Sequence, residues 1–104
     1  GHVFDGNATF VVGTHTHVPT NDGRVLSKGT AYLTDAGMCG DYNSVIGMNA
    51  ENSINRFYKR DSIKHFPAEG EASLCGAIIE ANPKNGLASN ISQFIFGGQL
   101  QKDN

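Results

Sequence analysis

The hydrophobic pattern of the first third of the chain changes every few residues, as it does in short strands joined by tight turns. Ala8-Thr9-Phe10-Val11-Val12 is a β-prone run ended by Gly13, and it predicts a buried strand over 8–12. Pro19, Asn21, Asp22 and Gly23 crowd into 18–23, where fixed φ, side-chain-to-backbone bonding and positive φ each favour turns. Two further short strands are predicted over 24–26 and 30–34, folded about Gly29 as a hairpin. From 35 to 47 no period holds; Gly37, Gly40 and Gly47 stand among polar residues. That stretch predicts a long ordered loop, a class that often carries function.

Helical spacing first appears over 49–58, where Ile54, Phe57 and Tyr58 recur and Asn49 or Asn52 can cap. Arg56, Lys59, Arg60 and Lys64 make a basic stretch near its end, where the helix dipole favours cations. It reads as a solvated face or as a phosphate-facing patch. Residues 67–70 break the pattern, and two β-prone runs, 73–81 and 87–96, flank Asn82-Pro83-Lys84-Asn85-Gly86. Asn-Gly between such runs is a strong hairpin signal. The alternation in 87–96 is mixed, so both faces are expected to be partly covered, and the tail from Gly97 is expected to fray. The elements sum to a β-rich α+β domain over 1–104, with one main helix and a C-terminal β-hairpin.

Composition narrows the partners. A chain of 104 residues buries only ~60–65% of its unfolded surface, so part of the apolar surface is expected to meet a partner, a second copy among the candidates. The net charge is −2, with no basic excess for duplex nucleic acid or an anionic membrane. No apolar run approaches the ~18 residues of a membrane span, and no leader is visible. Cys39 and Cys75 lack metal or redox spacing and read as reduced, buried thiols of a cytoplasmic protein. The chain starts at Gly1 instead of Met, so a native N-terminal part is expected to precede it.

Chemistry concentrates in Gly13-Thr14-His15-Thr16-His17. On a strand, side chains at i and i+2 share a face, with Cα atoms roughly 6.6 Å apart. Two imidazoles so placed can chelate one metal, or serve one each of two metals ~3.5–4 Å apart. Gly13 admits close approach, and Thr14 and Thr16 can bond locally to fix the loop. Taken alone, such a pair is more often two surface or core histidines than two ligands. Asp35 and Asp41 flank the Gly-rich loop, as supports for a site, as substrate-loop anchors, or as plain turn formers. Backbone N–H groups across 37–40 could form an anion-binding concavity. Met38 would wall a pocket or pack in the core. His2 and His65 have no ligand-spaced neighbour and read as surface histidines.

Val11-Val12-Gly13-Thr14-His15-Thr16-His17-Val18-Pro19-Thr20 resembles Gly-His-x-His, the last metal-binding motif of calcineurin-like metallophosphoesterases. Its form, Gly-Thr-His-Thr-His-Val-Pro-Thr, is similar to the YmdB-like branch, the 2′,3′-cyclic-nucleotide 2′-phosphodiesterases. The likeness continues through Gly29-Thr30-Ala31-Tyr32 and from Thr34-Asp35-Ala36-Gly37-Met38-Cys39-Gly40-Asp41 to Met48, then thins, although the closing hairpin and Gly97-Gly98 still look like that branch.

The resemblance implies one part of a four-layer αββα sandwich, and two divalent metals (Mn or Fe, with Zn as the other candidate). It also implies a metal-bridging hydroxide that attacks phosphorus. By motif position His15 would hold one metal and His17 the other, with Thr14, Thr16, Asp35, Gly37, Met38, Gly40 and Asp41 as supporting or substrate-loop residues. The substrate would be a small phosphate ester such as a cyclic nucleotide. The family also needs an Asp-x-His motif, an Asn-His motif, a bridging carboxylate and another His, and none occurs here. They are expected upstream of Gly1, in the missing N-terminal half. The chain alone is therefore expected to bind metal weakly and to be inactive. The rival readings are a small module holding one zinc through His15, His17 and Asp35 or Asp41, and an interaction domain without catalysis.

Overall fold

In the computed structural model, which describes residues 1–59 and 64–101, the first sheet is built on a central strand of three residues. This is β3 (Ala31–Leu33), flanked by β1 (Phe10–Val12) and β2 (Arg24–Val25) in the order β1-β3-β2. β2 and β3 pair antiparallel, Arg24 opposite Tyr32 and Val25 opposite Ala31, which is the expected hairpin. Gly29, at φ +101, lets it close, and its N–H donates to Leu26 O at 3.0 Å. β1 pairs with β3 in parallel, Phe10 opposite Ala31 and Val12 opposite Leu33. Only the central strand is sealed. Ala31 and Leu33 are fully buried, whereas Phe10 and Val11 are half-buried and Val12 is 42% exposed. The buried strand expected at 8–12 is thus a half-buried edge strand, because β3 covers just one of its sides.

Contacts divide the chain into two compact units, Gly1–Gly37 with Cys75–Phe94 and Met38–Leu74 with Ile95–Asn104. The first holds the buried apolar side chains Leu26, Ala31, Leu33, Cys75 and Ala88, and adds buried polar ones. Asp5 accepts from the backbone N–H groups of Lys28 (3.0 Å) and Thr30 (3.3 Å). Thr30 Oγ1 donates to Ala8 O at 2.6 Å and accepts from Gly6 N at 2.8 Å. A carboxylate and a hydroxyl thus tie the hairpin to the N-terminal segment.

β4 (Leu74–Ala81) and β5 (Ala88–Phe96) form a two-stranded sheet, and the short connection between them allows only antiparallel pairing. The expected hairpin is present, but Asn85-Gly86 is not a two-residue turn. Gly86 takes φ +72, while Asn82 and Asn85 each accept, through Oδ1, the N–H two residues on, at 2.9 Å. The mixed covering expected of 87–96 holds only over its first half, where Leu87 is half-buried as well. Ala88 is buried and Ile91 half-buried, but Phe94, Ile95 and Phe96 are exposed, since a two-stranded ribbon has little to shield its faces.

In the second unit, Val45 and Met48 exchange backbone hydrogen bonds of 3.0 and 2.9 Å around Ile46 (φ +47) and Gly47 (φ +91). Positive φ at both central residues defines a type I′ turn. The one helix among the described residues, α1 (Ala50–Lys59), follows directly. Of the two candidate caps it uses Asn49, whose Oδ1 accepts from Asn52 N at 2.9 Å. Asn52 instead turns inward and is buried. Ile54, Phe57 and Tyr58 are 50, 81 and 77% exposed, so the apolar spacing marks the helix's outer side. Arg56 is half-buried and Lys64 exposed; Arg60, from the same basic stretch, lies outside the described residues.

The tail is not frayed through Gln101. Ser73, wholly buried, donates from Oγ to Gly97 O at 2.8 Å and accepts from Leu100 N at 3.3 Å. Positive φ at Gly97 and Gly98 turns the chain back to make these bonds. No helix among the described residues is long and apolar enough to cross a membrane.

Candidate functional site

β1 delivers the chain to Gly13, where the strand pairing makes its last bonds. Gly13 N donates to Leu33 O at 3.1 Å, and Gly13 O accepts from Ala36 N at 2.9 Å. A Cβ on residue 13 would stand 2.2 Å from Thr34 O, so glycine is required by close backbone approach. The histidines follow in a turn instead of at the end of the strand. The shared strand face expected for them is replaced by a bend at Thr16, and His17 takes the left-handed value φ +65. His15 is exposed and His17 half-buried.

Asp35 explains the bend. Its Oδ2 accepts from both Thr16 N and Thr16 Oγ1 at 2.7 Å, and its Oδ1 accepts from Gly37 N at 2.8 Å. Its backbone also exchanges bonds with Thr20: Asp35 N donates to Thr20 Oγ1 at 2.9 Å and Asp35 O accepts from Thr20 N at 3.0 Å. The residue is 1% exposed. The Gly37 N–H and then the Thr16 hydroxyl hold its carboxyl below the usual carboxylate range, and the neighbouring His17 acts in the same direction.

The far end of the loop is held by a second carboxylate. Asp22 Oδ1 accepts from Thr20 Oγ1 at 2.6 Å and Thr34 N at 3.1 Å, and Oδ2 accepts from Thr34 Oγ1. The Thr20 hydroxyl first, then the Thr34 hydroxyl, bring its pKa down to about 2. Gln93, from β5, closes the frame: Nε2 donates to Thr20 O at 2.6 Å and Oε1 accepts from Gly23 N at 3.1 Å.

The other residues singled out from the sequence are placed as follows. Thr14 is exposed. Gly37 joins the site through Asp35. Met38, Gly40 and Asp41 belong to the second unit. There Asp41 accepts from Asn43 N at 2.8 Å and Gly70 N at 3.0 Å, which makes it a loop anchor. The side chain of Met38 lies against Gly47 and Gly40. Three of the N–H groups across 37–40, the candidates for an anion-binding concavity, are already engaged. The N–H groups of Gly37, Met38 and Gly40 donate to Asp35 Oδ1, the Tyr42 hydroxyl and Ser73 O. Neither Cys39 nor Cys75 forms a disulfide; Cys75 is buried as expected, but Cys39, in the loop, is exposed, and His2 and His65 are on the surface. The left-handed His17 and the Gln93 clamp carry no local sequence signal; the partners of Gln93 lie about seventy residues away.

Two imidazoles on a pinned turn suit a divalent transition metal in kind but not in number, since a protein site takes at least three ligands. Among the described residues no three His, Cys, Asp or Glu side chains gather to hold an ion. Asp35, the carboxylate bonded to Thr16 between the two histidines, already has both oxygens engaged. The pair therefore fits as part of a ligand set, and the one-zinc arrangement with Asp35 lacks its third ligand.

Residues 1–94 match the family described as YmdB-like protein. The chain is 43% identical over 96 residues to a Bacillus subtilis (strain 168) protein named 2′,3′-cyclic-nucleotide 2′-phosphodiesterase, covering 92% of this chain and 36% of that one. The crystal structure of a hypothetical protein from Thermus thermophilus superposes with a TM-score of 0.85 at 38% identity, over 94% of this chain and 38% of that one. The crystal structure of a phosphatase from Mycoplasma pneumoniae does so with a TM-score of 0.85 at 37% identity, over 92% and 34%. The chain thus spans little more than a third of each relative's length. A match that covers nearly all of the chain, with the histidine turn inside it, shows that the chain belongs to the YmdB-like family.

Proposed function

We propose that this chain is the C-terminal portion of a metal-dependent phosphodiesterase acting on small phosphate esters, 2′,3′-cyclic nucleotides first among them, in the cytoplasm. Family membership supports the reaction class. The observation that carries the site is the His15-Thr16-His17 turn, braced by Asp35. His15 would hold one metal and His17 the other, and the rest of the protein would complete both ligand sets. Two bound divalent ions, Mn or Fe by family resemblance and Zn as the other candidate, would supply Lewis-acid stabilisation of the phosphate and an acidified water. The chain's own part is to present two imidazoles from a turn braced by Asp35. The wide exposure of apolar side chains such as Phe57 and Phe96 fits a surface completed by the rest of the protein or by a second copy.

The test is Mn²⁺-dependent hydrolysis of 2′,3′-cyclic AMP by the intact protein that carries this sequence. His15→Ala and His17→Ala should each lower kcat at least about 100-fold, the scale expected when several kcal/mol of metal stabilisation are lost. The isolated chain should bind Mn²⁺ weakly and turn over nothing. Turnover by the mass-verified isolated chain, or full activity in both histidine variants, would overturn the proposal.

A further inference from the structure

We infer that Asp35 and Thr16 are positioning residues for the metal ligands. Together they form a latch that fixes the backbone between His15 and His17 and holds His17 in its left-handed conformation. The inference rests on the proposed role of the two histidines as ligands and adds what sets their geometry.

Three observations carry it. His17, at φ +65, occupies a region that costs an L-residue roughly 1–2 kcal/mol, and such a state persists where its surroundings over-determine it. The residue before it is held at two points by one oxygen, Thr16 N and Oγ1 both reaching Asp35 Oδ2 at 2.7 Å. Lastly, the acceptor cannot drift. Asp35 is 1% exposed, its other oxygen takes Gly37 N at 2.8 Å, and its own backbone is bonded to Thr20 on both sides. A turn formed without such a brace would let both imidazoles sample many directions. Here the peptide group between them is fixed to a buried, triply bonded carboxylate. The Thr16 hydroxyl also lies 3.1 Å from Val18 O, so its bonding extends past His17 on the C-terminal side. Outer groups of this kind are typically worth 10–100-fold in metal affinity.

The latch makes Thr16 more informative than its exposure suggests. A serine keeps the hydroxyl and the N–H; a valine keeps the shape and the N–H and loses the hydroxyl. The experiment is a chelator-competition titration of Mn²⁺ binding to the intact protein and its Thr16→Ser, Thr16→Val, Asp35→Asn, His15→Ala and His17→Ala variants. Thermal midpoints of the metal-free forms and amide hydrogen exchange at Thr16 are recorded alongside. Thr16→Val should bind Mn²⁺ about 10-fold more weakly and Asp35→Asn up to about 100-fold more weakly, with Thr16 amide protection lost in the second. Thr16→Ser should bind like the parent. If Asp35→Asn does not fold, the serine and valine pair decides. Parental Mn²⁺ affinity in Thr16→Val and in folded Asp35→Asn, with only the midpoint lowered, would reduce the latch to a structural tie and overturn the inference. Unchanged Mn²⁺ binding in both histidine variants would instead overturn the ligand assignment beneath it.

Discussion

The two units of this chain hold themselves together by different means. The first, Gly1–Gly37 with Cys75–Phe94, seals a small apolar centre of Leu26, Ala31, Leu33, Cys75 and Ala88, and hangs its loops on Asp5, Asp22 and Asp35. In the second, the buried side chains among the described residues are polar: Asp41, Asn52 and Ser73. Five of its large apolar residues, Ile46, Ile54, Phe57, Tyr58 and Phe66, are exposed, while Met38 and Met48 are half-buried. The histidine turn sits on the unit with the sealed centre. A ligand pair must be held to within a fraction of an ångström to be useful, and close-packed backbone can do that where an unshielded helix cannot.

Glycines expose the contrast most sharply, and the largest effect is expected there. At Gly13 the added methyl of Gly13→Ala would meet a backbone oxygen at 2.2 Å, between strands that have no room to part. At Gly40 in the second unit, the nearest atoms to the same methyl would be those of the Met38 side chain, at 3.4 Å. Gly13→Ala should therefore cost about 3 kcal/mol, at the upper end for overpacking, and Gly40→Ala less than about 1 kcal/mol. Urea unfolding of the two variants compares them directly. Equal losses would show that the first unit is no more tightly packed than the second.

A smaller effect of opposite sign is expected in the second unit. Ile46 occupies the first central position of a type I′ turn, where Asn or Gly is the usual choice and a β-branched residue is strained. Its side chain is 59% exposed, so little packing offsets the strain. Ile46→Asn should raise stability by about 1 kcal/mol, read as a higher urea midpoint at unchanged slope. A loss of stability would mean that the Ile46 side chain makes contacts the second unit depends on, and the contrast between the units would weaken.

These two residues also mark how far the sequence could be read. The strand run ending at Gly13, the hairpin about Gly29, the helix capped near Asn49 and the closing hairpin all follow from local preferences, and all are present. The parallel pairing of β1 with β3 joins residues about twenty apart, and no local pattern announces it. The turn at 45–48 was hidden because Ile46 breaks the residue rule for its own turn type. The histidine pair stood out by its motif, and Asp35 could be singled out from its place beside the Gly-rich loop. That Asp35 bends the histidine segment out of the strand geometry could not be read, because the bend depends on a carboxylate nineteen residues on from Thr16. The exposed side of α1 was misleading for another reason: helical spacing reports an apolar stripe without saying whether anything in the chain covers it.

The smallest effect, and the one most specific to the first unit, is its response to acid. Asp22 has its pKa lowered from 3.8 to about 2 by hydrogen bonds from the hydroxyls of Thr20 and Thr34. A carboxyl whose folded pKa lies below its unfolded value binds fewer protons in the folded state between the two. Stability then rises with pH through that interval. The contribution is fully present above the unfolded pKa, near 4, and is lost as pH falls toward about 2. Asp35 is shifted in the same direction by Gly37 N–H and the Thr16 hydroxyl, so it adds to the slope in the acid range. Asp22→Asn should therefore unfold more readily than the parent above pH 5, approach it near pH 2, and flatten the stability curve between. Part of the slope should survive in that variant through Asp35. Because the Asp22 side chain is 35% exposed, solvent screens its bonds and the change stays small beside that of Gly13→Ala. Urea midpoints taken at intervals from pH 2 to pH 6 measure it. Parallel curves for parent and variant would mean that Thr20 and Thr34 do not distinguish the charged carboxylate from a neutral amide. The far end of the histidine loop would then owe nothing to the charge of Asp22.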